Sequence, residues 1–290
     1  MNKFWGLLFF VVCFIHLPLE ASIDNEYGIG GSGIFVGEAK FKNDGITDQH
    51  LTFRQAGALM YYIHDLDSNS SITANLGYYS SKISWKQNPE FKKTTYDDIY
   101  IAIGGFSDKL DDWVWHGNVY TVVDADELSL SHYAVTGALV WGEYSYSDTI
   151  DIYIGVDANS GMKKEDVRPI IGFKYNPQNN WKLNLVYPKD ISAVYAFNDR
   201  WNLALEGRFF KNRYRTNEKA ARSKGIFEYR ATGAEFSLNY SSTNSHVNAT
   251  LLAGTNFGGD LKVRDSAGKN PTFYRLKSAT YFGGEIKTIF

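Results

Sequence analysis

The sequence predicts an all-β fold, a closed antiparallel transmembrane β-barrel of about 12 to 14 strands. Three observations carry that prediction. Apolar and polar residues alternate with period two through most of the chain, the connections alternate between long and short, and aromatic residues gather near the ends of the alternating segments.

Residues 1–21 read as a leader. "MNKFWGLLFFVVCFIHLPLEAS" opens with Lys3, runs apolar from Phe4 to Leu17, breaks at Pro18 and reaches the small residue Ala21. This is the layout of a secretory signal peptide, with cleavage expected after Ala21 and residues 22–290 forming the barrel domain. Cys13, the single cysteine, lies inside the leader behind Val11 and Val12, where lipid attachment needs a small residue. The remainder therefore has neither a disulfide framework nor a thiolate metal site. Its formal charge stays at −2 when Lys3 and Glu20 leave, without the basic surplus of a nucleic-acid binder.

Strands are expected near 32–41, 51–63, 71–81, 96–106, 113–123, 129–142, 149–157, 168–176, 180–187, 190–197, 200–214, 226–240, 246–257 and 273–290. In the second, one face reads Leu51, Phe53, Gln55, Gly57, Leu59, Tyr61, Ile63, with Thr52 and Arg54 opposite. The third sets Ile72, Ala74, Leu76 and Tyr78 against Thr73, Asn75 and Gly77. Ile99, Ile101 and Ile103 repeat the pattern, as do Ile150, Ile152, Ile154 and Val156 against Asp151, Tyr153, Gly155 and Asp157. Period two means strands with unlike faces. In 226–240 the apolar face starts as Phe227, Tyr229, Ala231 and switches to Ala234, Phe236, Leu238, Tyr240, which a bulge near Thr232 and Gly233 would restore.

Five connections are long and charged: "KNDGITDQH", "KISWKQNPEFKKTT", "ANSGMKKEDVR", "TNEKAARSKG" and "GGDLKVRDSAGKNPT". Those between them are mostly tight, such as "PQNN" and "ND". Long loops on one rim and short turns on the other distinguish a transmembrane barrel. A soluble sandwich would solvate its polar faces with charge, whereas here they carry Thr73, Asn75, Gly77, Thr136, Ala138, Gly155, Gly172, Asn184 and Asn202. Small polar residues suit a lumen. Trp113, Trp115, Tyr133, Trp141, Trp181, Trp201, Tyr281 and Phe282 fall near strand ends and read as aromatic girdles.

The final "YFGGEIKTIF" reads as the closing strand, with Phe282, Ile286 and Phe290 on the lipid face and Glu285 and Lys287 toward the lumen. With the leader and the alternating strands, this terminus resembles bacterial outer-membrane β-barrel proteins. "WKLNLVYPKDISAVYAFNDRWNLALEGRFF" is similar to an uncharacterised family of such barrels. The resemblance implies the fold, and it implies that Phe282, Ile286 and Phe290 form a signal read by the barrel-assembly machinery. Thr288 stands where such strands more often carry a second aromatic.

Motifs for catalysis are missing. His50, His64, His116, His132 and His246 show no metal-ligand spacing. His116 and His132 could approach each other across the lumen. Ser129 and Ser131 supply hydrolase residue types beside His132, but sequence neighbours on a strand point to opposite faces. "GIGGSG" opens a strand rather than the helix that a phosphate-binding loop needs. The acidic clusters at 65–67, 97–98, 111–112 and 124–127 read as solvated rims.

The lumen remains. Arg54, Arg168, Lys174, Lys182, Glu206, Arg208, Glu228 and Arg230 fall opposite apolar faces and are the candidate lumen-lining charges, with a basic excess favouring anions. The expected function is a passive pore or channel for small solutes, without enzyme activity, cofactor or metal. The alternative is a structural or surface-interaction barrel acting through extracellular loops, and a third reading is a lipid-modifying barrel enzyme. Expected partners are outer-membrane lipid, lipopolysaccharide and the barrel-assembly machinery, with a monomer favoured and no nucleic acid.

Overall fold

The computed structural model describes residues 25–110, 112–128, 133–177, 179–216, 223–243 and 246–290. The leader at 1–21 and the candidates Ser129, Ser131 and His132 lie outside these residues. Within them the chain forms β1 (Asn25–Lys40), β2 (His50–Asp67), β3 (Ser70–Trp85), β4 (Thr95–Leu110), β5 (Trp113–Asp124), β6 (Ala134–Ser147), β7 (Ile150–Gly161) and β8 (Lys164–Tyr175). Then come β9 (Trp181–Tyr187), β10 (Asp190–Ala196), β11 (Trp201–Arg215), β12 (Ile226–Ser241), β13 (Val247–Arg264), β14 (Thr272–Leu276) and β15 (Ala279–Ile289).

Each strand from β1 to β13 pairs antiparallel with the next, and the ring closes through β15. On one side Gly28 faces Ile289 and Val36 faces Tyr281. On the other, Val247 faces Thr288 and Asn256 faces Ala279. The wall is thus a closed 14-strand barrel, β1–β13 with β15, and β14 is an extra strand paired with the far end of β13. Closure leaves no unpaired edge around the ring's middle.

The single expected strand 273–290 is therefore two. Ala231 opposes Gly259 while Gly233 opposes Asn256, so β13 carries one residue more than β12 at Phe257–Gly258. Gly258 adopts φ +100°, a conformation closed to most side chains. Beyond this bulge β13 leaves the wall, β14 follows it back, and the chain re-enters the ring at Ala279. The register step lies at the expected place, but the extra residue belongs to β13. β12 pairs with β11 without interruption from Trp201–Tyr240 to Arg215–Ile226.

The loop expected over 158–168 is also corrected. β7 and β8 continue to a two-residue turn, Met162–Lys163, whose φ values of 48° and 60° match the twist of a tight hairpin.

The rim that carries Asn25 and Phe290 has the short turns, and the opposite rim carries the longer loops. Apolar side chains cover the barrel's outer face: Ile103 is 63% exposed and Leu251 69%. Aromatic pairs ring the short-turn rim, at centroid separations of 5.0 Å (Tyr27–Tyr62), 5.2 Å (Trp113–Tyr144) and 4.8 Å (both Trp181–Tyr195 and Trp201–Tyr240). Three of the expected girdle residues are elsewhere. Tyr281 and Tyr133 are buried, and Trp141 faces inward, its ring stacked on His116 at 4.6 Å.

Candidate functional site

The lumen has two halves of unlike chemistry. Toward the short turns, small uncharged side chains bond one another. Asn239 Nδ2 donates to Asn202 Oδ1 at 2.9 Å, Thr250 Oγ1 to Asn239 Oδ1 at 2.7 Å, and Asn184 Nδ2 to Ser192 Oγ at 2.9 Å. Glu285 and Lys287 face this half with Tyr61 and Tyr79.

Toward the long loops the lumen is occupied by the protein itself. Ile226, Phe227, Glu228 and Tyr229 are consecutive, and none is more than 1% exposed. A strand in the wall leaves its outer face bare, as Ile103 and Leu251 do, so burial on both faces requires protein on both sides. One face carries Tyr214, Phe227, Tyr229, Leu261 and Val263 and packs against the inner side of β1–β4. Ring centroids stand 5.6 Å apart for Phe53–Tyr229, 4.8 Å for Tyr96–Tyr214 and 4.7 Å for Phe91–Phe227. Each fully buried ring contributes about 1.5–3 kcal/mol.

The other face carries charge and meets β8. Lys164 Nζ lies 2.8 Å from Glu228 Oε1, and Lys211 is ion-paired with Asp166. The distal ends of β11, β12 and β13, with β14, thus stand inside the barrel between two parts of its wall.

The local sequence explains the inward turn. β9 and β10 have only seven residues each. Among the described residues, β11 has no partner on the β10 side beyond Glu206, and β8 has none on the β9 side before Ile171. At the same level β11, β12 and β13 carry Gly207, Gly233 and Gly258–Gly259. A Cβ on Gly233 would come within 2.6 Å of the Thr255 carbonyl oxygen, so the backbones cross closely at the bend. Above this line the face that was apolar outside, with Leu203, Leu205, Phe236 and Leu238, becomes charged with Lys211, Arg213, Glu228 and Arg230.

Glu228 anchors the charged layer. Besides Lys164, it accepts from Arg230 Nη2 at 2.7 Å and Arg264 Nη2 at 3.5 Å, and Arg213 Nη2 stands 3.8 Å away. One buried carboxylate thus meets four cations, and these close partners offset the cost of its desolvation. Arg168 pairs with Asp157, and Arg208 with Glu235 through two parallel bonds.

Two spaces flank this layer. A cavity of about 650 Å³ lies between β11 and the inner wall, with Arg168, Lys189, Arg208, Lys211 and Arg213 on its surface against Asp98 and Asp157. Every residue from Arg208 to Tyr214 lines it, so β11 presents an edge and both its faces to the lumen. A second cavity, about 330 Å³, lies at the notch between β8 and the bent strands, lined by Asp166, Tyr187, Arg230 and Asp260 among others. Arg168, Phe209, Phe210 and Lys211 are walls of both.

Arg168 and Arg208 thus border the large cavity. Lys174 extends over the inward ring of Tyr153, 4.8 Å from its centroid, and Lys182 stands opposite Val194. Glu206 accepts from Ser237, and Glu228 and Arg230 lie on the face of β12 turned to β8. Arg54 departs from the reading. Phe53 is buried in the interior cluster, so Arg54 points outward, its guanidinium 4.7 Å from the centroid of Phe35. The apolar face of β2 faces in because the upper lumen is itself apolar. Thr136 and Ala138 are likewise on the outer face, Ala138 opposite the exposed Val119. Phe282 and Ile286 lie exposed on the outer side of β15, and the Phe290 amide donates to the Tyr27 carbonyl at 2.8 Å.

Sequence reading missed Lys164, Asp166, Lys211, Arg213 and Arg264. The available signal was the simultaneous inversion of polarity on three neighbouring strands at a line of glycines.

No family model matches the chain. An uncharacterised protein of Chlamydia trachomatis is 23% identical over 270 residues, covering 88% of this chain and 84% of its own. One of Chlamydia pneumoniae is 25% identical over 269 residues, covering 86% and 82%. Among solved structures, an outer-membrane channel from Pseudomonas putida F1 superposes with a TM-score of 0.53 at 10% identity, covering 94% of this chain and 99% of that one. The shared property is the fold of an outer-membrane barrel.

Proposed function

We propose that this chain is a passive outer-membrane channel for small solutes, with a path that bends sideways. The observation that carries the reading is the pair of cavities with shared walls. A solute entering the polar half from the short-turn rim meets the 650 Å³ space, because the inward sheet blocks the straight course to the loops. Beyond Arg168 and Lys211 lies the notch above the β9–β10 hairpin, where the wall is interrupted. Membrane residence is supported by the apolar outer face, whose burial in water-free surroundings removes an otherwise large exposed patch, and by the aromatic ring at one rim.

The filled upper lumen favours one other reading, a barrel that does not conduct and acts through its long-rim loops. Purified protein in a planar bilayer separates the two. Reproducible conductance steps support the channel, and a silent, folded barrel would sink it in favour of the surface role. Recovery of the protein from the soluble periplasmic fraction would overturn both.

A further inference from the structure

We propose that the outer wall carries a docking site for the phosphate groups of outer-leaflet lipid, built from cations at the long-loop ends of β1, β2, β3 and β14. This goes beyond the channel reading and rests only on the outer face lying in the membrane. Phe41 and Leu276 form a backbone bridge and are buried in the interior cluster. Their neighbours Lys40, Lys42, Arg275 and Lys277 therefore turn to the outer face, where all four are exposed. The Lys42 amide donates to the Arg275 carbonyl at 2.8 Å and the Lys277 amide to the Lys40 carbonyl at 2.7 Å, which sets Lys40 beside Lys277 and Lys42 beside Arg275. Lower on the same face Arg54 stands opposite Lys82, and both are exposed. Like charges placed side by side repel, and among the described residues none of these six cations has an ion pair to relieve it. Glu38, Asp97 and Asp260 share the face, but Glu38 is engaged with His50 at 3.4 Å.

The cluster is one-sided. At the long-loop ends of β5–β8 the outward positions in register are Thr121, Thr136, Ser160 and Glu165, none of them a cation. What lies below the cluster sets the kind of anion. Arg54 extends over Phe35, 4.7 Å from its centroid, Phe35 packs on Phe282 at 5.2 Å, and Ile286 continues the exposed apolar strip. A cation facing lipid is costly at the bilayer midplane and tolerated at the interface, so Arg54 and Lys82 mark the depth at which the membrane turns polar. Lys40 stands about 16 Å beyond Phe35 along β1, toward the rim of the long loops, which is the outer-leaflet side. A ligand that meets apolar rings below and unpaired cations above is an amphiphile, with acyl chains on the rings and phosphates on the cations.

The test uses the full chain refolded in a nonionic detergent, with diphosphoryl lipid A as probe and native mass spectrometry as readout. Lipid A should bind saturably, and the same lipid stripped of both phosphates should not. Lys40→Gln combined with Lys277→Gln should weaken lipid A by about tenfold or more, and so should Arg54→Gln combined with Lys82→Gln. Both pairs are exposed, so one keeps the assay informative if the other misfolds. Lys109→Gln, at the opposite rim beside Asp67, should bind as the unaltered chain does. Equal binding of the two lipids, unaltered affinity in both folded double variants, an equal loss in Lys109→Gln, or displacement of lipid A by an equal concentration of inorganic phosphate would each overturn the site. A barrel that conducts but binds both lipids alike loses the docking site and keeps the channel. One that prefers the phosphorylated lipid but never conducts loses the channel and keeps the docking site.

Discussion

Lys164 Nζ lies 2.8 Å from Glu228 Oε1, although β8 and β12 are separated in the ring by three other strands. The contact joins the inner face of β8 to what would be the outer face of β12. It exists because β12 has folded into the lumen beyond Gly233.

Glu228 is therefore the group whose loss costs most. Glu228→Gln leaves four cations facing one another without their carboxylate and should destabilise the barrel by about 3–5 kcal/mol. The band of the unheated protein on a denaturing gel should convert to the unfolded position at a lower temperature. Lys164→Met should do less, since three cations remain on Glu228.

Phe227 tests whether the upper lumen is filled. Phe227→Ala removes a side chain stacked at 4.7 Å on Phe91 and should cost about 3–5 kcal/mol. A folded variant should also conduct in larger steps, because the cluster that blocks the straight path is thinned. Unchanged steps with a fully folded barrel would count against the blocked path.

Charge reversal separates inside from outside. Arg230→Glu places an acid on the wall of the notch cavity and should move the reversal potential toward cation preference. Arg54→Glu alters the outer face and should leave it where it was. Equal shifts from the two would contradict the assigned faces.

Gly258 marks the bulge. Gly258→Val demands a left-handed conformation of a β-branched residue at φ +100°, a cost of about 1–3 kcal/mol. The yield of folded barrel should fall, while Gly45→Val in an open loop with nothing near its Cβ position provides the comparison for a glycine at positive φ without a packing role.

The closing strand bears on assembly rather than stability. Removing Phe290 should lower the fraction of protein that reaches the heat-resistant form in cells. Thr288→Phe should raise it. Equal fractions in all three proteins would show that Phe282, Ile286 and Phe290 are not read as a signal.

Much of the wall was legible from local chemistry. Ile99, Ile101 and Ile103 alternate with polar or small neighbours whatever surrounds them, whereas the two-residue turn at Met162–Lys163 was hidden inside a charged run. The polarity of a face is different, because it records what covers the face and not which way it points. Leu51, Phe53 and Tyr281 are apolar for an interior cluster, and Thr136 and Ala138 are small or polar on the outside, so a rule that equates apolar with outward inverts at these positions.

Alone, the sequence determined that the chain is a closed barrel of alternating strands with unlike rims, because period and turn chemistry are properties of neighbouring residues. Only the tertiary structure decided that β11–β13 bend inward, that Glu228 gathers Lys164, Arg213, Arg230 and Arg264, and that a notch opens above β9 and β10. Those features depend on residues as far apart as Phe53 and Tyr229. Their contact is fixed by how far each strand has neighbours to pair with, which no single segment specifies.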